Sequence, residues 1–133
     1  VLRRDGEDVL TGSRCSPVDG RWHSQYDGKV LTDPGEVDID HMVPLANAWR
    51  SGADEWNDGR RESFANDLEN PELMAVSRSS NRSKGDQSPD QWRPDNNGFW
   101  CTYARSWIAV KYEWQLSVTW AEKAALREML TFC

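Results

Sequence analysis

The chain has two histidines, His23 and His41, so any imidazole that takes a proton from water near neutrality is one of them. His23 stands in a turn-like stretch, GRWHSQYDG, with no carboxylate beside it. His41 directly follows Asp38-Ile39-Asp40 and precedes Met42-Val43-Pro44. A carboxylate next to an imidazole can hold a hard cation while the ring handles a proton. On a pleated strand Asp40 and His41 point to opposite faces, so both serve one site only where the strand bends or a loop begins. Taken alone, the pair reads first as a surface histidine with polar neighbours. A second segment, SRSSNRSKGD from Ser77 to Asp86, changes the balance. Asn81 offers a neutral oxygen ligand of the kind Mg²⁺ accepts. Arg78, Arg82 and Lys84 suit contacts to a phosphate backbone. By itself this segment reads as a solvated polar loop.

The elements that would position these residues follow from periodicity. Val37 to Val43 alternates apolar and polar, a strand pattern that puts Asp38 and Asp40 on an accessible face opposite Val37 and Ile39. Pro44 ends it, and Leu45 to Trp49 starts a short helix broken at Ser51-Gly52. Asp58 to Leu68 reads as a helix with Phe64 and Leu68 on one face, and Leu73 to Val76 as a buried strand. Ser88-Pro89-Asp90-Gln91 has the form of a helix start. From Phe99 to Trp114 the residues Tyr103, Trp107, Val110 and Trp114 recur at helical spacing, and such a stripe packs in a core rather than stacking on bases. Thr119 and Glu122 form a capping box for a last helix running to about Leu130. Residues 12 to 37, rich in Gly, Pro, Ser and Asp, read as loops with short strands.

A length of 133 residues predicts one domain spanning 1–133, and eight tryptophans give a small core large apolar area. No apolar run is long enough to cross a membrane. Val1 to Thr11 lacks the apolar run of a secretory leader, so export would follow its removal. A net charge of −6 counts against nucleic-acid binding as a default. Against that, Arg78 to Lys84 carries three positive charges and no negative one, and a bound divalent cation would add two more. Cys15, Cys101 and Cys133 match no zinc spacing. Cys101 and Cys133 flank two successive predicted helices, which suits a disulfide and an oxidising compartment. Cys15 is then unpaired, or paired with a residue upstream of Val1; the alternative is three buried thiols in the cytosol.

Taken together, DIDHMVPL (Asp38 to Leu45) and AVSRSSNRSKGD (Ala75 to Asp86) resemble the HNH, or ββα-metal, nucleases in type and order. The likeness extends to secreted actinobacterial HNH proteins through DHMVPLANAW (Asp40 to Trp49), FANDL (Phe64 to Leu68), the NRSKGD motif, and Trp92 and Pro94 beyond it. The resemblance covers roughly residues 15 to 125. It implies an α+β fold, a small helix-rich domain around a ββα-metal core with few short strands. It further implies Asp40 and Asn81 as metal ligands and His41 as general base of a one-metal phosphodiester hydrolase. DNA, cut with little sequence selectivity, is expected before RNA. Two departures stand out. The family's middle Asn, which orients the base, falls near Glu72, with Asn66 and Asn70 nearby; a further His ligand is replaced by Gly85. So open a ligand set favours Mg²⁺ or Mn²⁺ over a closed zinc site. The expected protein is a secreted, monomeric endonuclease, and the alternative is an extracellular DNA- or polymer-binding module derived from one.

Overall fold

A computed structural model describes all 133 residues, as six helices and two small antiparallel sheets. The first half supplies α1 (Leu2–Asp5), β1 (Glu7–Thr11), β2 (Pro17–His23), β3 (Val30–Leu31), β4 (Val37–His41), α2 (Leu45–Arg50) and α3 (Asp58–Ala65). Then follow β5 (Leu73–Ser77), α4 (Arg78–Lys84), α5 (Trp100–Glu113) and α6 (Trp120–Leu130). The α+β expectation holds. Strands β1, β2 and β3 form one sheet, and β4 and β5 the other, in register from Val37 opposite Ser77 to His41 opposite Leu73.

The antiparallel β4–β5 pair, whose strands are separated in sequence by α2 and α3, is continuous with α4 through Ser77. Ser77 ends β5 and caps α4, its Oγ accepting from the Ser80 N–H at 3.2 Å. Gly85 stops the helix at φ +54°, a conformation glycine adopts without strain. The predicted aromatic stripe is the centre of the main core: Tyr103, Trp107 and Val110 are fully buried, and Trp114 packs against it. Thr119 and Glu122 make both halves of the capping box. The Cys101–Cys133 disulfide closes the α5–α6 pair across 32 residues, while Cys15 is free and exposed.

Three expectations fail. Residues 88–91 form a turn, because Pro94 follows too soon: within a helix it would remove a backbone bond and push Arg93 out of helical geometry. Helix α3 stops at Ala65, where Asn66 donates its side-chain amide back to the Glu62 carbonyl, and this leaves Leu68 exposed. The Asp38/Asp40 face of β4 is not open to solvent. Helix α4 lies across it, and Asp40 is 4% exposed.

Candidate active site

Helix α4 meets β4 in two rungs. Asn81 Nδ2 donates to Asp38 Oδ2 at 3.0 Å, and Lys84 Nζ donates to Asp40 Oδ2 at 2.7 Å. The spacing explains the match: three residues of helix rise about 4.5 Å and two residues of strand about 6.8 Å, near enough for both pairs to close. The carboxylate of Asp38 only accepts, so it turns the Asn81 amide nitrogen inward and leaves Oδ1 facing away, without a partner in the protein.

Lys84 is fully buried. Its ammonium uses all three donors: on Asp40, on the His41 carbonyl at 2.8 Å and on the Met42 carbonyl at 2.8 Å. It is a structural cation, and its expected role in holding a phosphate backbone is corrected accordingly. Burial pulls its pKa down, and the adjacent Asp40 opposes that shift. The same carboxylate oxygen accepts the Tyr26 hydroxyl at 2.5 Å, and burial followed by Asp40's charge drives the Tyr26 phenol well above its ordinary range. Tyr26 therefore stays a donor. Asp40 Oδ1 accepts nothing and is not sealed off from the cleft that Asp40 lines.

His41 closes β4, and its ring reaches the C-terminal end of α3, where Nε2 lies 2.9 Å from the Ala65 carbonyl oxygen. That oxygen can only accept, so in the neutral ring Nε2 carries the proton and Nδ1 keeps its lone pair. The end of α3 is itself fixed by the aromatic core: Phe64 stands edge-on to Trp114 at 5.4 Å, and Trp114 Nε1 donates to Asp67 Oδ2 at 2.9 Å. Because the strand stops at His41, the opposite facing of Asp40 and His41 is no obstacle. Both line one cleft of about 230 Å³ with Leu45, Asn81, Gly85 and Asp86.

Glu72, where the family's middle Asn was expected, is fully buried and touches the backbone after His41. Its Oε1 accepts the Val43 N–H at 2.7 Å, and its carbonyl accepts the Met42 N–H at 2.6 Å. Burial pushes its carboxyl up to about 9, so it is protonated at neutral pH. Neither Asn66 nor Asn70 hydrogen-bonds the His41 ring; their side-chain amides bond locally to Glu62 and Asp67. Of the basic residues, Arg82 is exposed without an ion pair, and Arg78 is half-exposed with Nε 3.9 Å from Asp38 Oδ1. No group of three or more His, Cys, Asp or Glu side chains converges as a metal cluster. What remains for a cation is one free oxygen each from Asp40 and Asn81, a sparse hard-donor pair that fits Mg²⁺ or Mn²⁺ with water completing the shell. Sequence reasoning missed Tyr26, Asp38 and the Ala65 carbonyl. Asp38 had a usable signal in its D-x-D spacing against N-x-x-K.

A secreted protein of uncharacterised function from Arthroderma benhamiae is 53% identical over 133 residues, covering 100% of this chain. The chain spans 65% of that relative's length. No solved structure matches. Residues 7–129 match the family described as GmrSD restriction endonucleases, C-terminal domain, and a match over nearly the whole chain shows that the protein belongs to that nuclease-type family.

Proposed function

We propose that the chain is a metal-dependent endonuclease that hydrolyses phosphodiester bonds, in DNA before RNA and with little sequence selectivity. The observation that carries this reading is the His41 ring, held through Nε2 by a main-chain carbonyl with Nδ1 free, in the same cleft as the free oxygens of Asp40 and Asn81. Nδ1 takes the proton from a water aligned on the scissile phosphate. A divalent ion at Asp40 Oδ1 and Asn81 Oδ1 would supply positive charge for the phosphoryl and leaving oxygens. Asp38 keeps the Asn81 oxygen turned outward, and Tyr26 with Lys84 fixes the Asp40 carboxylate, whose charge the Lys84 ammonium offsets. Arg82 and Arg78, one turn apart on α4, supply contacts to the phosphate backbone. The family description supports a DNA substrate, and the relative's printed name, together with the Cys101–Cys133 bridge, supports secretion. No helix is long and apolar enough to cross a membrane.

One observation favours a second reading, a binding module that does not cut: Lys84 already satisfies Asp40 without any metal. Supercoiled plasmid incubated with purified protein separates the two. Nicking with Mg²⁺ or Mn²⁺, lost in EDTA and lost in His41→Ala, supports the enzyme. Intact plasmid in every cation, or cleavage undiminished in chelator, refutes the mechanism.

A further inference from the structure

Helix α2 begins in the cleft, where Leu45 and Ala46 form part of the wall. One turn further along the same helix face, ~6 Å along the axis, come Trp49 and Arg50. Trp49 is 52% exposed, an unusual position for so large an apolar ring, while six of the other seven tryptophans are buried or packed into the core. Its indole is backed by the Arg61 guanidinium, 5.3 Å from the ring centroid. That guanidinium is immobilised by the Ala53 carbonyl at 2.9 Å, the Trp56 carbonyl, and Asp58 Oδ1 at 2.6 Å. The ring thus has a rigid cationic backing and an open remainder. Arg50 beside it is half exposed, with Asp86 of the cleft rim 3.6 Å away. Arg61 and the Ala65 that holds His41 are one turn apart on α3, so platform and base share one rigid support.

We infer that Trp49 is a stacking platform for an unpaired nucleobase of the nucleotide next to the scissile phosphate, with Arg50 on the adjoining phosphate. This deepens the nuclease reading and rests on it. An aromatic ring with cationic neighbours is the combination that binds single-stranded nucleic acid with little regard to sequence, since every base offers a π face. Duplex bases are already stacked and cannot reach the ring, so the site selects single-stranded, frayed or flipped substrate.

The test is fluorescence anisotropy with a labelled single-stranded 12-mer, beside the same strand carrying abasic sites. The protein is the full chain with His41→Ala, which leaves the strand uncut in Mg²⁺. Adding Trp49→Ala should weaken binding of the intact strand roughly 5- to 150-fold, the worth of one base–aromatic stack. It should leave the already weaker abasic strand unchanged. Trp49→Phe, which keeps a ring and the fold, should retain most of the affinity. Equal binding of the intact strand with and without the Trp49 ring overturns the proposal. Equal loss on intact and abasic strands also overturns it, because the ring then acts structurally or on another class of partner. If neither strand binds even with Trp49 in place, the nuclease reading falls as well.

Discussion

Replacing Glu72 with Gln should stabilise the protein by an amount that grows with pH. In the fold the Glu72 carboxyl is held protonated, its pKa raised from 4.5 to about 9, first by burial and then by Asp40 and Asp67; the Val43 N–H and Lys84 only partly oppose this. The unfolded chain releases that proton near pH 4.5, so between about pH 4.5 and 9 the folded state binds more protons than the unfolded one. Stability falls across that window by ~1.4 kcal/mol per pH unit from this group. Glutamine keeps the carbonyl that accepts from Val43, has nearly the same shape, and does not titrate. The second carboxyl oxygen has no partner in the native protein, so the substituted amide loses no bond there. At pH 7 the gain is therefore on the order of 3 kcal/mol, or roughly 10 °C in Tm for a chain of this size. Near pH 4 the two proteins should differ little. Urea unfolding followed by tryptophan fluorescence from pH 4 to 9 measures the gap directly. A difference independent of pH, or a Gln variant less stable at pH 8, would refute the assignment of a protonated buried Glu72.

Lys84→Met leaves Asp40 buried without its cation and should destabilise the fold by ~3–5 kcal/mol in chemical denaturation. Arg82→Ala should leave stability unchanged and flatten the salt dependence of DNA binding; the reverse assignment would show in the same two assays. Removing the Cys101–Cys133 bridge with a double Ser substitution opens a 32-residue loop. In the chain-entropy model that costs ~3–4 kcal/mol, read as a drop in Tm that reductant reproduces in the native protein. His41→Ala should keep metal affinity by calorimetry while single-turnover cleavage falls ~10²–10⁴-fold. Asn81→Ala should weaken metal binding, with cleavage partly recovered at high Mg²⁺. Normal cleavage by Asn81→Ala would remove Asn81 from the site.

What could be read from the residues was whatever depends on local periodicity. The Tyr103–Trp107–Val110 stripe declares its helix because 3.6-residue spacing survives any tertiary context, and the Thr119–Glu122 box declares its cap for the same reason. The β4 alternation was equally plain, but which face is covered depends on where α4 lands, some 40 residues later. Lys84 misled for a related reason. A lysine in a basic run reads as solvated, and only the meeting of α4 with Asp40, Tyr26 and the turn after His41 makes burial tolerable. Tyr26 sits in a Gly- and Asp-rich stretch with no local pattern, and nothing near it announces a partner 14 residues away. Leu68 failed because Asn66 ends the helix before it, a competition between side-chain and backbone bonding that apolar spacing ignores.

The bond from His41 to residue 65 is made to the main chain, and this has a consequence for how such a site can evolve. Every amino acid carries the same carbonyl, so no single substitution at position 65 deletes the acceptor. A side-chain orienter, such as the asparagine that the HNH resemblance implies near position 72, is lost by one codon change. Here the His41 tautomer is insured against that event and exposed to a different one: anything that shifts the last turn of α3, whether at its Asn66 end, the Asp67–Trp114 tie or the Phe64 contact, moves the acceptor without touching it. Orientation is thereby transferred from a residue's identity to a helix's position, and position 72 is released to carry a buried acid instead.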